Sequence, residues 1–217
     1  MTCTPAAFSV TFVYGAYTND PDVFSPFRSL TPIAETTPPT NGTTLQFITI
    51  QTPPQPEASR DTVGVTTYLD TDLYVDIYSK YLAMVQANGS PTSVFLLPIQ
   101  TFGGSAARIA GNNGGNVLGN SEKAQTWWNP IAQWTNPADD AKVHKALIDL
   151  ADSIKTAATS KNLFEKHIFP NIGSKDQKVL ASFGSTNLAF LNTVSSKYDK
   201  FKYFQKLQNG GFLVSKA

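Results

Sequence analysis

The sequence predicts an α+β fold: a mainly antiparallel β-sheet with helices packed on one face. Short runs rich in Val, Ile, Thr and aromatic residues recur between turn signals, as at Val63 to Asp70 and Ser93 to Gln100. Two stretches repeat apolar residues at helical spacing: Leu73, Ile77, Tyr81 and Val85, then Val143, Leu147, Leu150 and Ile154. With 217 residues and 41% apolar content the chain can bury a core, and residues 1–217 read as a single unit. Several strands and three helices then make a layered α+β arrangement.

In chain order, alternation of Val, Phe, Thr and Tyr predicts a strand at 8–17, followed by an Asn-Asp-Pro-Asp turn at 19–22 and a proline-punctuated loop through Pro38-Pro39. Leu45 to Thr52 and Val63 to Asp70 are two further β-rich runs. Pro53-Pro54-Gln55-Pro56 between them supports no central strand, because proline lacks the ladder donor. Asp72 is placed to cap the first helix, and Asn88-Gly89 stops it. Ser93 to Gln100 is too short and too continuously apolar for a helix, so it reads as one buried strand.

Residues 103–121 are rich in Gly, Asn and Ala, without GxGxxG spacing or a Gly-Lys-Ser/Thr ending, and read as a flexible loop that holds no cofactor. Gln125 to Trp134 carries all three tryptophans and reads as a strand packed on something large. Asn136-Pro137 and Asp139-Asp140 open a second helix, with a cap, a proline in the first turn and acids toward the dipole. His167 to Asn171 reads as a short strand and Asn187 to Tyr198 as a helix with Leu188, Leu191 and Val194 inward.

Composition excludes several function classes. Seventeen Lys and Arg against sixteen Asp and Glu leave a net charge of +1, so no field draws in nucleic acid or an anionic membrane. Cys3 is the one cysteine, and His144 and His167 are the two histidines. An intramolecular disulfide framework and a structural zinc site therefore lack their residues. Residues 7–17 are apolar but follow no basic segment, and no run approaches the roughly 20 apolar residues of a membrane span. A cytoplasmic protein is expected. No Ser-His-acid order, GxSxG elbow or paired-carboxylate spacing supports a hydrolase.

An ordered set of short segments carries a more specific signal. Asp22-Val23-Phe24-Ser25-Pro26-Phe27 stands near the start, then Gly114-Gly115-Asn116-Val117-Leu118-Gly119, and Trp134 followed by Asp139-Asp140. Phe169-Pro170-Asn171-Ile172-Gly173 precedes Gln177 and Phe183-Gly184. Lys197-Tyr198-Asp199, Phe204-Gln205-Lys206-Leu207 and Gly210-Gly211-Phe212-Leu213 close the chain. Together they resemble the substrate-binding and C-terminal region of fungal FAD-linked oxidases of the berberine-bridge and vanillyl-alcohol oxidase type. In that family the flavin sits mainly on a separate N-terminal domain, often through a covalent histidine and sometimes a cysteine. Cys3 sits in no such motif, so the resemblance implies the substrate domain's α+β fold without the flavin-binding domain, and no cofactor. Where the family carries two tyrosines this chain has Phe169 and Ile172, which lose two hydroxyls.

The resemblance further implies a concave aromatic face, a natural small-molecule site. Strand periodicity puts His167, Phe169 and Asn171 on one face. His167 is the histidine placed for proton transfer, and equally reads as a satisfied histidine at a strand start. Asn171 is a polar anchor, since a carboxamide in an apolar strand must find a partner in a ligand or in the backbone. Trp127, Asn129, Tyr68 and Gln100 join Phe169 as substrate-binding candidates, with Trp127 also reading as core. His144, beside Val143 at a helix start, has the weaker claim.

Two function classes follow. One is a cofactor-independent enzyme of fungal secondary metabolism that folds an apolar polycyclic or polyene substrate for a redox-neutral cyclisation, cycloaddition or isomerisation. The other is an oxidase half or binding module that works with a separate FAD-binding chain. A homodimer is the remaining partner expectation, because a second copy could cover an open sheet edge.

Overall fold

The computed structural model describes residues 7–51, 55–208 and 210–217. The chain divides into two compact units, Met1–Pro56 and Glu57–Ala217. Cys3, Thr52 and the first two prolines of the Pro-Pro-Gln-Pro connection lie outside the described residues.

In the first unit, residues 8–17 form no strand, because β propensity is realised only against a paired ladder. Side chains there pack locally instead, with the Phe12 ring 4.9 Å from Phe24 and 4.8 Å from Phe27. Asp22–Phe27 is a 3-10 helix, and Arg28 after it reaches Asp20 at 3.0 Å. The run expected as a strand from Leu45 is helix α1, Thr44–Gln51. A capping box decides it: the Gln46 side-chain oxygen accepts from the Thr43 N–H at 2.7 Å, and the Gln46 N–H donates to the Thr43 hydroxyl at 3.3 Å.

In the second unit, proline placement sets the shape of the sheet. The run from Val63 to Asp70 gives β2 (Val65–Tyr68), with β1 (Ser59–Thr62) just before it. The next two long runs are each broken in the middle, into β3 (Ser93–Leu96) and β4 (Ile99–Phe102), and into β5 (Gln125–Trp128) and β6 (Ile131–Trp134). With β7 (Phe164–Glu165), they form two antiparallel sheets in the orders β1-β6-β3 and β4-β5-β2-β7. Ser93 to Gln100 and Gln125 to Trp134 are therefore not single strands. Leu97-Pro98 and Asn129-Pro130 fall at the breaks, where a missing N–H interrupts the ladder. Two backbone bonds bridge the break: Val63 N–H to the Pro130 carbonyl at 3.1 Å and Asn129 N–H to the Pro98 carbonyl at 3.0 Å.

Helices α2 (Thr71–Asn88) and α4 (Asp140–Ser160) pack on each other, and α4 lies against β1, β2 and β6. Asp70, not Asp72, caps α2, its carboxylate accepting from the Leu73 N–H at 2.7 Å. Leu73, Ile77 and Met84 are buried from α2, with Tyr81 and Val85 packed beside them. Val143, Leu147, Leu150 and Ile154 are buried from α4 as their spacing predicts. They meet Val63, Val65, Phe95, Trp128, Ala132 and Trp134 from the strands, one core on one face of the sheets. Full burial of one such leucine contributes about 1.5–3 kcal/mol. His144 clamps the start of α4, its Nδ1 on Asp61 of β1 and its Nε2 3.1 Å from Asp176.

Within the Gly- and Asn-rich stretch, Ser105–Asn112 form the helix α3 rather than a loop. The segment expected as a strand at His167 to Asn171 is not one either, since β7 ends at Glu165 and Pro170–Ile172 is a 3-10 turn started by the proline. Helices α5 (Ser185–Tyr198) and α6 (Tyr203–Lys206) follow, with Leu188, Leu191 and Val194 half-buried. Among the described residues no helix is long and apolar enough to cross a membrane.

One side chain ties this C-terminal region to the sheet. Along the outer edge of β2, Thr66 pairs with Glu165, and the Tyr68 N–H donates to the Leu163 carbonyl at 2.7 Å. At Gly64, two residues further back, β7 has ended and the Gln177 carboxamide takes its place. Its oxygen accepts from the Gly64 N–H at 3.0 Å, and its nitrogen donates to the Gly64 carbonyl at 2.7 Å. The same oxygen accepts from the Ser174 N–H at 2.9 Å. Gly64 suits this approach, because a Cβ there would stand 3.0 Å from Ile172 and 3.1 Å from Ile168. Gln177→Leu strands both Gly64 groups and is expected to cost about 2–4 kcal/mol of unfolding free energy in urea titrations. Gln177→Glu is not a conservative rescue, since it replaces the donor with an anion facing the Gly64 carbonyl.

Candidate functional site

The face of the second sheet opposite the helices carries the candidate site. On the helix side, Tyr74 of α2 bonds Thr126 and packs on Trp128, ring centroids 4.7 Å apart. Strand alternation therefore turns Gln125 and Trp127 to the other face. Register places Thr66 and Gln100 beside Trp127, Tyr68 and Phe102 beside Gln125, and Glu165 beside Thr66. The C-terminal segment covers this face with aromatic rings. Phe102 and Phe169 stack on Trp127 at 4.7 and 4.3 Å, and His167 lies 6.2 Å from Trp127 and 5.7 Å from Phe183.

Polar side chains are threaded through this aromatic layer. The Trp127 indole donates to Gln125 at 3.2 Å, and Gln125 donates onward to the Ser121 carbonyl at 3.1 Å. The Tyr68 hydroxyl donates to Glu165, and Lys123 sits 5.1 Å over the Tyr68 ring. The Glu165 carboxylate and burial hold the Tyr68 hydroxyl above its ordinary pKa. Gly119 brings the preceding loop onto Phe183: its φ is +69°, and a Cβ there would collide with the Phe183 carbonyl.

His167 is 1% exposed, and neither ring nitrogen has a hydrogen-bond partner. Burial lowers its pKa below the ordinary value, with Glu165 and the nearby Leu118 backbone opposing the shift. The Leu118 group falls short of hydrogen-bond geometry. The ring is therefore a neutral imidazole with one donor and one acceptor to offer. Thr66 Oγ1 and Asn120 Oδ1 are likewise buried and unpartnered. Native interiors leave few such atoms, and each marks a place that a ligand or water could fill.

His167, Phe169, Trp127, Tyr68 and Gln100 thus share one face. Asn129 does not join them: it sits at the sheet break, where its side chain accepts from the Thr62 hydroxyl. Asn171 is exposed on the 3-10 turn, because Pro170 turns the chain away from the layer. The premise of a buried carboxamide seeking a partner fails there. Thr66, Asn120 and Glu165 were not anticipated as site residues. Glu165 alternates with His167 and Phe169, a signal that was available, whereas Thr66 and Asn120 enter only through tertiary packing.

Comparison with known proteins places this geometry in context. An FAD-dependent monooxygenase of Arthrobotrys oligospora is 34% identical over 94% of this chain and 40% of its own length. The FAD-dependent monooxygenase yanF of Aspergillus niger is 29% identical over 98% of this chain and 37% of its own length. Both of these relatives are named as FAD-dependent monooxygenases, and both are fungal. The bifunctional solanapyrone synthase of Alternaria solani is 27% identical over 67% of this chain and 30% of its own length. The chain spans about two fifths of the length of the first two relatives. No protein-family model and no solved structure matches it.

Neither of two clefts among the described residues has room for a whole FAD. These clefts, of about 250 and 310 Å³, lie at or below the small end of ordinary ligand sites, about 300–1,000 Å³. At the start of α3, where glycines could cradle a pyrophosphate, a Cβ on Gly104 would fall on the Glu122 carbonyl, so that approach is filled.

The depressed His167 pKa has a consequence for stability. The unfolded chain takes up a proton near pH 6.5 that the folded ring refuses, so stability is full above that value and falls as pH drops through it. His167→Phe keeps an aromatic ring and removes both unpartnered nitrogens. Urea midpoints measured from about pH 7.5 to 5 should fall less steeply for this variant than for the parent.

Proposed function

We propose that this chain is the substrate-contacting part of a flavin-linked oxygenase or oxidase of fungal secondary metabolism, of the berberine-bridge and vanillyl-alcohol oxidase type. The flavin is held by protein beyond the matched stretch or by a separate chain. The observation that carries this reading is the aromatic layer with the buried, neutral and unpartnered His167 at its centre. The relatives support it, because the stretch matched is about two fifths of proteins named as FAD-dependent monooxygenases.

In this role Trp127 and Phe169 offer apolar surface to a planar or polyene substrate. His167, with Glu165 two residues before it, offers a hydrogen bond or a proton at the ring nitrogen. A neutral imidazole in a site poor in water is suited to accept a proton from a substrate hydroxyl.

A second reading keeps the same residues and drops the flavin: a redox-neutral cyclisation, cycloaddition or isomerisation driven by positioning. The likeness to a protein named as a bifunctional synthase favours keeping it.

Purified chain should be colourless and inactive on a panel of polyketide-like substrates alone. It should gain flavin-dependent turnover when combined with the flavin-binding portion of the Arthrobotrys relative. His167→Phe should lower that turnover by about 10²-fold or more. Product formation by the chain alone would select the second reading, and stoichiometric flavin bound to the purified chain would overturn the first.

A further inference from the structure

A second site lies at the edge of the sheet, apart from the aromatic layer. Where β7 ends and the chain swings away from β2, a cleft of about 250 Å³ opens between α4 and the segment that follows β7. Apolar groups of Val65, Ala151, Phe164 and Ile168 line it.

The charged groups around the cleft are unevenly committed. Lys178 donates to the Lys216 carbonyl at 3.0 Å, and Glu165 accepts from Tyr68 and, at 3.4 Å, from the His167 N–H. The Gln177 carboxamide is occupied by Gly64. Lys155 is held 5.5 Å over the Phe164 ring, which leaves its ammonium without a carboxylate. Lys166 forms no ion pair among the described residues. Asp152, the remaining acid on the rim, forms none either. Three lysines against two carboxylates, one of them already bonded, leave the cleft cationic.

We infer that this cleft binds a small organic carboxylic acid, its carboxylate on Lys155 and Lys166 and its body on Phe164 and Ile168. The volume admits a single ring or a short acyl chain and excludes a polycycle. A carboxylate matches the lysines, while the apolar lining disfavours a fully hydrated inorganic anion. The inference does not depend on the flavin reading, since no residue it requires belongs to the Phe102, Trp127, Phe169 and His167 stack.

Benzoate titrated into the full chain and followed by amide NMR tests it. Saturable shifts are expected at residues 64–66 and 164–168, with benzamide at equal concentration shifting them at least about tenfold more weakly. Lys155→Gln with Lys166→Gln, both at exposed positions, should weaken benzoate by a similar factor while leaving the rest of the spectrum unchanged. Equal shifts from benzamide, benzoate binding indifferent to the lysine pair, or no saturable shift up to about 10 mM would each overturn the assignment.

Discussion

Proline cannot donate to a β-ladder, and in this chain two prolines stand at the same level of neighbouring strands. Pro98 and Pro130 break the runs that carry them, and Gly64 marks the same level on the third. The sheet cannot continue flat through that line, so it divides into two short antiparallel sheets joined by two backbone bonds. One side of both buries against α2 and α4. The other side of the second sheet is left for the C-terminal segment, and the aromatic layer exists because that segment has a surface of suitable width to cover.

What holds the segment there is an amide acting as a backbone. Gln177 presents to Gly64 the donor and acceptor that a neighbouring strand would present, in the slot after the last β7 pair. The His144 clamp on Asp61 and Asp176 secures the residue next to it. Polar contacts therefore fix the rim, and around His167 the packing is ring against ring. That division of labour explains how His167 can be buried with both nitrogens unoccupied. The ring is held by its neighbours, with no hydrogen bond from either of its nitrogens.

Much of this was legible in the sequence, and the failures share a cause. Helical periodicity located α2 and α4, and the apolar runs located β2 to β6, while the polar β1 (Ser-Arg-Asp-Thr) lay before the run expected from Val63. The run from Leu45 reads as a strand by composition, yet Thr43 and Gln46 had spelled a capping box before it. Pro98 and Pro130 stood inside the runs read as unbroken strands, and applying to them the rule used at Pro53-Pro54 would have exposed the breaks. Alternation put His167 and Phe169 on one face, whereas Trp127, Tyr68 and Gln100 were expected only on strands of the same sheet, and it is the strand register that brings them to that face. Asn171 failed because Pro170 ended that alternation. Thr66 and Asn120 carry no local signal, since lacking a partner is a property of the packed whole.

The sheet's pairing pattern also bears on how quickly the molecule can be made. Thr67 meets Thr126 and Arg60 meets Gln133, with α2, two strands and the Gly- and Asn-rich stretch between them in the chain. No hairpin of adjacent strands brings these partners together, so the loop-closure entropy must be met before any ladder forms. The amphipathic helices need only local contacts. The order of assembly is then helices first and central strands late. In the interval the apolar strand segments, three tryptophans among them, are exposed to solvent and to one another, and the nascent chain is at its most vulnerable to aggregation.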